Sequence, residues 1–318
     1  VKIDVVYSEA HYARHLLPIW AALPDELRGD VHPMYPQGAA QRPPMGRWAL
    51  VAGWQDVSPL RGQCNMIYVE HGAGQTYQDR PYDPSYSASR GQRHRGVRGY
   101  IAPSQTVADR WDAPSAAVGC PKMDRWILDP PPKHDAPTVC FAWHWDCRLV
   151  PEARSAWPHY EPMFGMIREA FADQGFAVVG HEHPKWRGKM NRVLGERGIP
   201  TLSTEEEVFA LADILVVDNS SLAYEFALLG KPVICLNAPW YRRDVEHGLR
   251  FWSHVPGIQI DDPWELATLN LWDLIYDTEL RAASEAHRLA AVEHAYAVRD
   301  GSSSGRAAAF IATTIDGK

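Results

Sequence analysis

The sequence predicts an α/β protein built as two doubly wound parallel-sheet domains, and three observations predict it. Short apolar, β-branched runs recur along the chain, among them Lys2–Tyr7, Met66–Val69, Thr138–Trp143, Ile214–Val217 and Val233–Leu236. They are the kind of strand a parallel sheet buries on both faces. Helical patterns alternate with them, which is the order of repeated βαβ units. Between the two series lies Asp129–Pro137, DPPPKHDAP, whose four prolines in nine residues fit no helix or strand and mark a stiff linker.

The first series opens with Lys2–Tyr7 as a strand and a helix carrying His11, Leu16, Leu17, Trp20 and Leu23. Strands follow at Trp48–Ala52 and Met66–Val69, and the second runs straight into Glu70-His71-Gly72-Ala73-Gly74. A histidine at a strand end, followed by glycines that let backbone approach a ligand, suits acid/base chemistry; it equally suits a plain loop histidine. Tyr77–Arg98 has neither helical nor strand period. It mixes Tyr77, Tyr82 and Tyr86 with Arg80, Arg90, Arg93, Arg95 and Arg98, as either an anion- or sugar-binding loop or a solvated one. Gly99–Ala102 is a strand, Ser104 caps a helix through Trp111, Ser115–Val118 is a strand, and Gly119–Asp124 turns at its end.

Beyond the linker come strand Thr138–Trp143, a helix near Tyr160–Gln174, strand Phe176–Gly180 and a loop His181-Glu182-His183-Pro184. Thr204-x-x-Glu207 is a capping box opening a short helix. The unit Asp213–Asn237 then joins a buried strand, a polar turn, a helix with Leu222, Phe226 and Leu229 on one face, Gly230 as its stop, and strand Val233–Leu236. Asp218-Asn219-Ser220-Ser221 therefore lies at a strand's carboxyl end and a helix's amino end, where open α/β sheets bind ligands. Backbone N–H groups, the helix dipole and two hydroxyls there suit a phosphate, although Asn and Ser also favour an ordinary N-cap. Gly257–Ile260 is strand-like, Pro263 begins a helix, and Glu279–Ile315 is helical with a break at Gly301–Gly305.

Composition narrows the class. The 318 residues suffice for two cores, the hydrophobic and charged fractions of 46% and 22% are those of a globular protein, and no apolar run approaches the length of a membrane helix. A net charge of −7 argues against a global attraction to nucleic acid or anionic lipid. Five scattered cysteines without C-x-x-C spacing give neither a disulfide framework nor a zinc knuckle, so a reducing cytoplasm is expected. No basic, apolar, small-residue leader is visible, and a chain beginning at Val1 implies trimming.

Separated motifs now agree. His71-Gly72 after an apolar strand, Gly119-Cys120-Pro121-Lys122-Met123-Asp124, Ala142–Asp146 after a strand, His183-Pro184, Asp218–Ser221 and Lys231–Ile234 fall in one order along the chain. In that order the chain resembles the CDP-glycerol glycerophosphotransferases and, more broadly, GT-B proteins such as the UDP-GlcNAc 2-epimerase group. The resemblance implies two Rossmann-like domains facing across a cleft: residues 1–130 on the acceptor side, 131–285 binding the nucleotide donor, and a helical segment 286–318 packing back on the first. It implies a transferase with no obligatory metal cofactor, using a CDP- or UDP-linked donor and a hydroxyl acceptor. It also implies His71 as catalytic base with Glu70 beside it, and His183 at the donor phosphates. Gly119, Pro121, Lys122, Asp218, Asn219, Ser220, Ser221 and Glu225 are the implied donor-binding residues. The family's Trp-His-Gly-Thr-Pro is here Glu70-His71-Gly72-Ala73-Gly74, which alters the acceptor side.

Other functions stay open at this stage. One is a nucleotide-sugar 2-epimerase. Another is a DNA-modifying glycosyltransferase contacting its polymer through Arg90, Arg93 and Arg95, and a third is a nucleotide-binding module without chemistry. His181 with His183, and His144 with Asp146, offer weak metal-ligand pairs, since structural zinc sites assemble four ligands.

Overall fold

Local sequence sets each strand where chain direction and burial demand it. In the computed structural model, which describes residues 1–34, 46–74, 76–77, 96–111, 113–132, 134, 136–148, 150–245, 247–276 and 278–316, the chain divides into two compact units. The first comprises Val1–Asp129 and His294–Lys318, the second Pro130–Glu293.

In the first unit, β1 (Ile3–Tyr7), α1 (Ala10–Ala22), β2 (Arg28–Pro33), β3 (Trp48–Val51), α2 (Trp54–Leu60), β4 (Asn65–Val69), β5 (Val97–Ala102), α3 (Gln105–Ala108), β6 (Ser115–Ala117) and α4 (Asp124–Leu128) follow in order. Among the described residues the strands form one parallel sheet of order β2-β1-β3-β4-β5-β6. Ile3, Val5, Leu50, Ile67 and Ile101 on one face pack against Leu16 and Ile19 of α1 and against the last helix of the chain. Val6, Val51, Met66, Tyr68 and Tyr100 fill the other face.

The second unit begins with β7 (Thr138–Trp143), followed by α5 (Trp157–Tyr160), α6 (Phe164–Asp173), β8 (Ala177–Glu182), α7 (Lys189–Glu196), β9 (Thr201–Leu202), α8 (Glu205–Leu211), β10 (Ile214–Val217), α9 (Leu222–Ala227), β11 (Val233–Leu236), β12 (Ile258–Ile260) and α10 (Pro263–Thr268). Its parallel sheet has the order β9-β8-β7-β10-β11-β12. Counted within the unit this is 3-2-1-4-5-6, the dinucleotide-fold order, whose direction reverses between the first and fourth strands. That switch point places the residues after β7 and after β10 side by side. α11 (Glu279–Ala295) and α12 (Ser303–Asp316) complete the chain.

The structure departs from the sequence expectations in several places. β2 was not anticipated, because RGDVHP lacks an apolar period and lies at a sheet edge, nor was the two-residue β9. β8 runs two residues past Gly180, so His181 and Glu182 belong to the strand and only His183-Pro184 to the turn. The break in the C-terminal helical segment falls at 296–302, and Ser303–Gly305 form the first turn of α12.

The turn Gly119–Asp124 docks that helix. Gly119 has φ +94°, and a Cβ there would lie 2.5 Å from the Val298 carbonyl oxygen, so only glycine fits. Asp124 accepts from the backbone N–H of Ser303 (3.0 Å) and Ser304 (2.7 Å), capping α12 from across the unit. Arg306 donates to the Val118 carbonyl from Nε and Nη2, fixing the helix's first turns beside β6. Asp124→Ala removes both cap bonds. It should cost about 1–2 kcal/mol of stability, read as a lower denaturation midpoint with faster proteolysis of the C-terminal segment. An unchanged midpoint would mean that the apolar face of Ala307, Ile311 and Ile315 holds α12 alone.

Candidate active site

The carboxyl edges of the two sheets collect the chemistry-bearing side chains, and each unit is described by itself.

In the first unit β4 ends in Glu70-His71. The Glu70 N–H still donates to the Ile101 carbonyl (2.8 Å), which carries the ladder one residue past the strand and fixes where His71 leaves the sheet. The Glu70 carboxylate turns back on its neighbour. Its Oε1 accepts from the His71 backbone N–H at 3.2 Å and lies 3.9 Å from His71 Nδ1. Burial pushes the Glu70 carboxyl up to about 7, against the opposing pull of Arg110 and of the His71 and Gly72 N–H groups. A carboxyl that exchanges its proton near neutrality beside a histidine can orient that ring and offset the charge it gains as a base.

The His71 ring packs against α1. Tyr12 meets it edge-on at 4.9 Å between centroids, with His11 at 6.3 Å and His15 at 6.2 Å. Tyr12 sits over Gly53, where a Cβ would come within 2.5 Å of its ring. On α2, Asp56 is wholly buried and accepts from the Ser8 N–H at 3.2 Å, and burial pushes its carboxyl up to about 6. Arg80, Arg90, Arg93 and Arg95 lie outside the described residues. Arg98 is described, and its Nε donates to Asn65 Oδ1 at 2.8 Å.

In the second unit Asp218 ends β10 and is completely buried. Its Oδ1 accepts from the His144 N–H (2.7 Å), and its Oδ2 from Ser155 Oγ and the Ala156 N–H (both 2.9 Å). This carboxylate is therefore spent on stapling β7 to α5. Burial pushes it up to about 6, with those three donors and Arg250 pulling the other way.

Asn219 is different. It too is fully buried, yet neither amide atom has a hydrogen-bond partner among the described residues. An unmet buried amide costs about 1–3 kcal/mol, which marks a position held ready for a ligand or an ordered water. Ser220 Oγ accepts from the Leu222 N–H (3.2 Å), while the hydroxyl of Ser221, the residue preceding α9, makes no capping bond. α9 has only six residues, so its dipole is short, and the donors at this turn are chiefly side chains. Gly230, with φ +75°, ends the turn after α9. Glu225 lies buried within α9.

His183 follows β8. Its Nδ1 accepts from the Lys185 N–H (3.2 Å), which leaves the ring hydrogen on Nε2. The ring lies edge-on to His144 at 4.8 Å, and Lys185 Nζ sits 4.8 Å over the Trp145 ring. Trp186 Nε1 donates to the His144 carbonyl (3.0 Å), joining the 183–186 turn to the end of β7. Burial pushes His144 down to about 3, so it is a neutral imidazole whose Nδ1 faces the Ala153 carbonyl at 3.1 Å.

The paired-ligand readings do not assemble. His181 Nδ1 lies 3.0 Å from the Leu202 carbonyl, Asp146 pairs with Arg148 and Arg154, and among the described residues no group of three or more His, Cys, Asp or Glu is placed for a metal.

Gly119, Pro121 and Lys122 sit in the first unit at the α12 dock, with Pro121 and Lys122 buried. The structure thus brings together Glu70 with His71, and His183 with the residues around Asp218–Ser221 through His144. Sequence reasoning missed Tyr12, His15, Asp56, Ser155 and Arg250. The i, i+4 spacing of His11 and His15 was the one legible signal among them.

Comparison with known structures defines the fold class first. The wall teichoic acid polymerase TagF, in a variant soaked with CDPG, matches with a TM-score of 0.66 at 13% identity, covering 100% of this chain and 89% of that one. The Staphylococcus aureus MnaA–UDP co-structure matches at 0.60 and 15%, covering 99% and 97%. The UDP-GlcNAc 2-epimerase of Neisseria meningitidis, bound to UDP-GlcNAc, matches at 0.56 and 13%, covering both chains fully. The chain has the GT-B fold of two Rossmann-like units. Residues 170–313 match the family described as CDP-Glycerol:Poly(glycerophosphate) glycerophosphotransferase, which supports the resemblance read from the motifs. None of the curated proteins compared matches the sequence.

The buried carboxyls give a pH signature. Glu70 at about 7 lies above the roughly 4.3 of an unfolded glutamate, so the folded chain binds its proton more readily. Stability should therefore fall as pH rises through about 7 and recover below it. Below about 6.5 the buried neutral His144 opposes the gain, because the unfolded histidine takes up a proton there and the folded one does not. Comparing melting curves of the parent and Glu70→Gln between pH 6.5 and 8 gives the Glu70 contribution by difference, because His144, Asp56 and Asp218 are common to both. Glu70→Gln should flatten the slope in that window, and an unchanged slope would mean that Glu70 is ionised throughout.

Proposed function

We propose that the chain is a transferase moving a polyol phosphate or sugar from a CDP- or UDP-linked donor to an acceptor hydroxyl. The observation that carries this reading is the glycerophosphotransferase match over residues 170–313, a span that includes His183 and Asp218–Ser221. The orphaned amide of Asn219, with Ser220, Ser221 and the Nε2–H of His183, supports a diphosphate on the second unit. Asp218 holds this turn rather than touching donor, and Glu225 lies in the helix behind it. Gly119, Pro121 and Lys122 contribute through the dock that seats α12.

In the reaction, His71 takes the acceptor hydroxyl's proton as that oxygen bonds to the donor's transferred phosphorus or anomeric carbon. The bond to the nucleotide-side oxygen breaks, and the charge left on the departing nucleotide is met by the His183 N–H and the serine hydroxyls. Glu70 offsets the imidazolium formed at His71.

A second reading, a UDP-sugar 2-epimerase, is favoured by the two neighbours solved with UDP or UDP-GlcNAc. It differs in needing no acceptor. Glycosylation of a DNA base rests on Arg90, Arg93 and Arg95, which lie outside the described residues.

Thermal shifts with CDP, UDP, CDP-glycerol and UDP-GlcNAc, with and without EDTA, test the reading. One cytidine or uridine species should raise Tm by mass action, and Ser221→Ala should weaken it about tenfold through one charge-assisted hydrogen bond. His71→Gln should keep the shift and lose about 10²–10⁴ in kcat. Stabilisation by none of the four would remove the transferase, and product formed without acceptor would replace it with the epimerase.

A further inference from the structure

Helix α1 brings two histidines, His11 and His15, within 6.3 and 6.2 Å of the His71 ring, centroid to centroid. They are one turn apart on one face, with Tyr12 of the same helix edge-on to the His71 ring between them. His15 is buried at 6% exposure, so its imidazole is part of the interior beside the strand end and not a surface group. Among the described residues, the charged and titratable groups that act on Tyr12 and Glu70 at this cluster include Glu9 before α1, Asp56 of α2, Tyr68 of β4 and Arg110. Tyr12 stays a neutral phenol, held up by burial and by Asp56, Glu9 and Glu70.

Charges on imidazoles within this distance repel one another, so His71 does not titrate independently of His11 and His15. Coulomb repulsion over about 6 Å in an interior of reduced dielectric shifts a titration on the order of one unit. Protons then belong to the group of rings as a whole.

We propose that His11 and His15 are positioning residues for His71: with it they form one proton-sharing imidazole cluster that keeps His71 in its neutral, basic form. The proposal rests on the reading of His71 as the base, but its first test needs no turnover. The α1 histidines disfavour a proton on His71 at rest. Glu70, with Oε1 3.9 Å from His71 Nδ1, accommodates the proton His71 takes up in the reaction. Tyr12 fixes the ring plane, and Gly53 leaves the space in which Tyr12 lies.

Histidine-selective NMR titration of the full chain, with signals assigned from His11→Gln, His15→Gln and His71→Gln, reads the coupling directly. The His71 midpoint should rise by about half a unit or more in His15→Gln and in His11→Gln. In whichever transferase assay gives turnover, the acid limb of kcat/KM should move up by the same amount while donor KM stays unchanged. Should His15→Gln fail to fold, the more exposed His11→Gln carries the same test. A His71 midpoint that stays put or falls in the folded variants overturns the proposal. A shifted midpoint in a protein that turns over no donor keeps the cluster and removes the transferase reading.

Discussion

The second unit depends on one buried carboxylate. Asp218 receives three donors, from His144, Ser155 and Ala156, and so ties the end of β10 to the end of β7 and the start of α5. The His144 carbonyl in turn receives Trp186 Nε1, which hangs the His183–Trp186 turn on the same staple. The ends of β7 and β10, the start of α5 and the His183–Trp186 turn are thus referred to one side chain at the point where strand order reverses. A fixed geometry at such a switch point needs a rigid reference, and a carboxylate with both oxygens engaged supplies it.

The first unit reaches the same end by packing. α1 lies on β1 and β3 through Tyr12, Leu16 and Ile19, and α12 lies beside it. Asp124, Gly119 and Arg306 hold α12 to the turn after β6, so the chain's last helix completes the layer that supports α1. The position of His71 relative to α1 is therefore set by residues far away in sequence. This is why Gly119–Asp124, which reads as a ligand-binding turn, works as a dock.

The strands were legible where they are buried on both faces, as in Ile214–Val217 and Val233–Leu236, because a continuous apolar run has few other uses. The capping box at Thr204 and Glu207 and the proline opening α10 were legible because each is a local exchange of hydrogen bonds or a fixed φ. β2 was not, since an edge strand written RGDVHP carries no periodicity. His71 and Asn219 could be singled out by position at strand ends. Their surroundings could not, because Tyr12 and His15 meet His71 only through the sheet's strand order, and Ser155 meets Asp218 only through the connection after β7. A helix break was legible near 301–305 from its composition. Its true place was not, because Asp124 supplies the cap that turns Ser303 into a helix start.

Arg250 assists the three hydrogen bonds in opposing the upward push of burial on Asp218. It is a wholly buried guanidinium whose Nη2 donates to the Leu236 carbonyl at 2.8 Å, stacked 4.6 Å from the Trp252 ring centre. Its Nε and Nη1 have no hydrogen-bond partners among the described residues, an arrangement that costs stability on its own account. Yet its charge is among the influences that pull Asp218 down against desolvation. Were Asp218 protonated on Oδ2, that oxygen would become a donor and the Ser155 hydroxyl would have to turn from donating to accepting, while the two backbone N–H bonds remain. The buried Arg250 cation and the orphaned Asn219 amide are thus two local costs in the second unit, the first offset in part by its pull on Asp218 and the second leaving hydrogen-bonding capacity unspent at the end of β10.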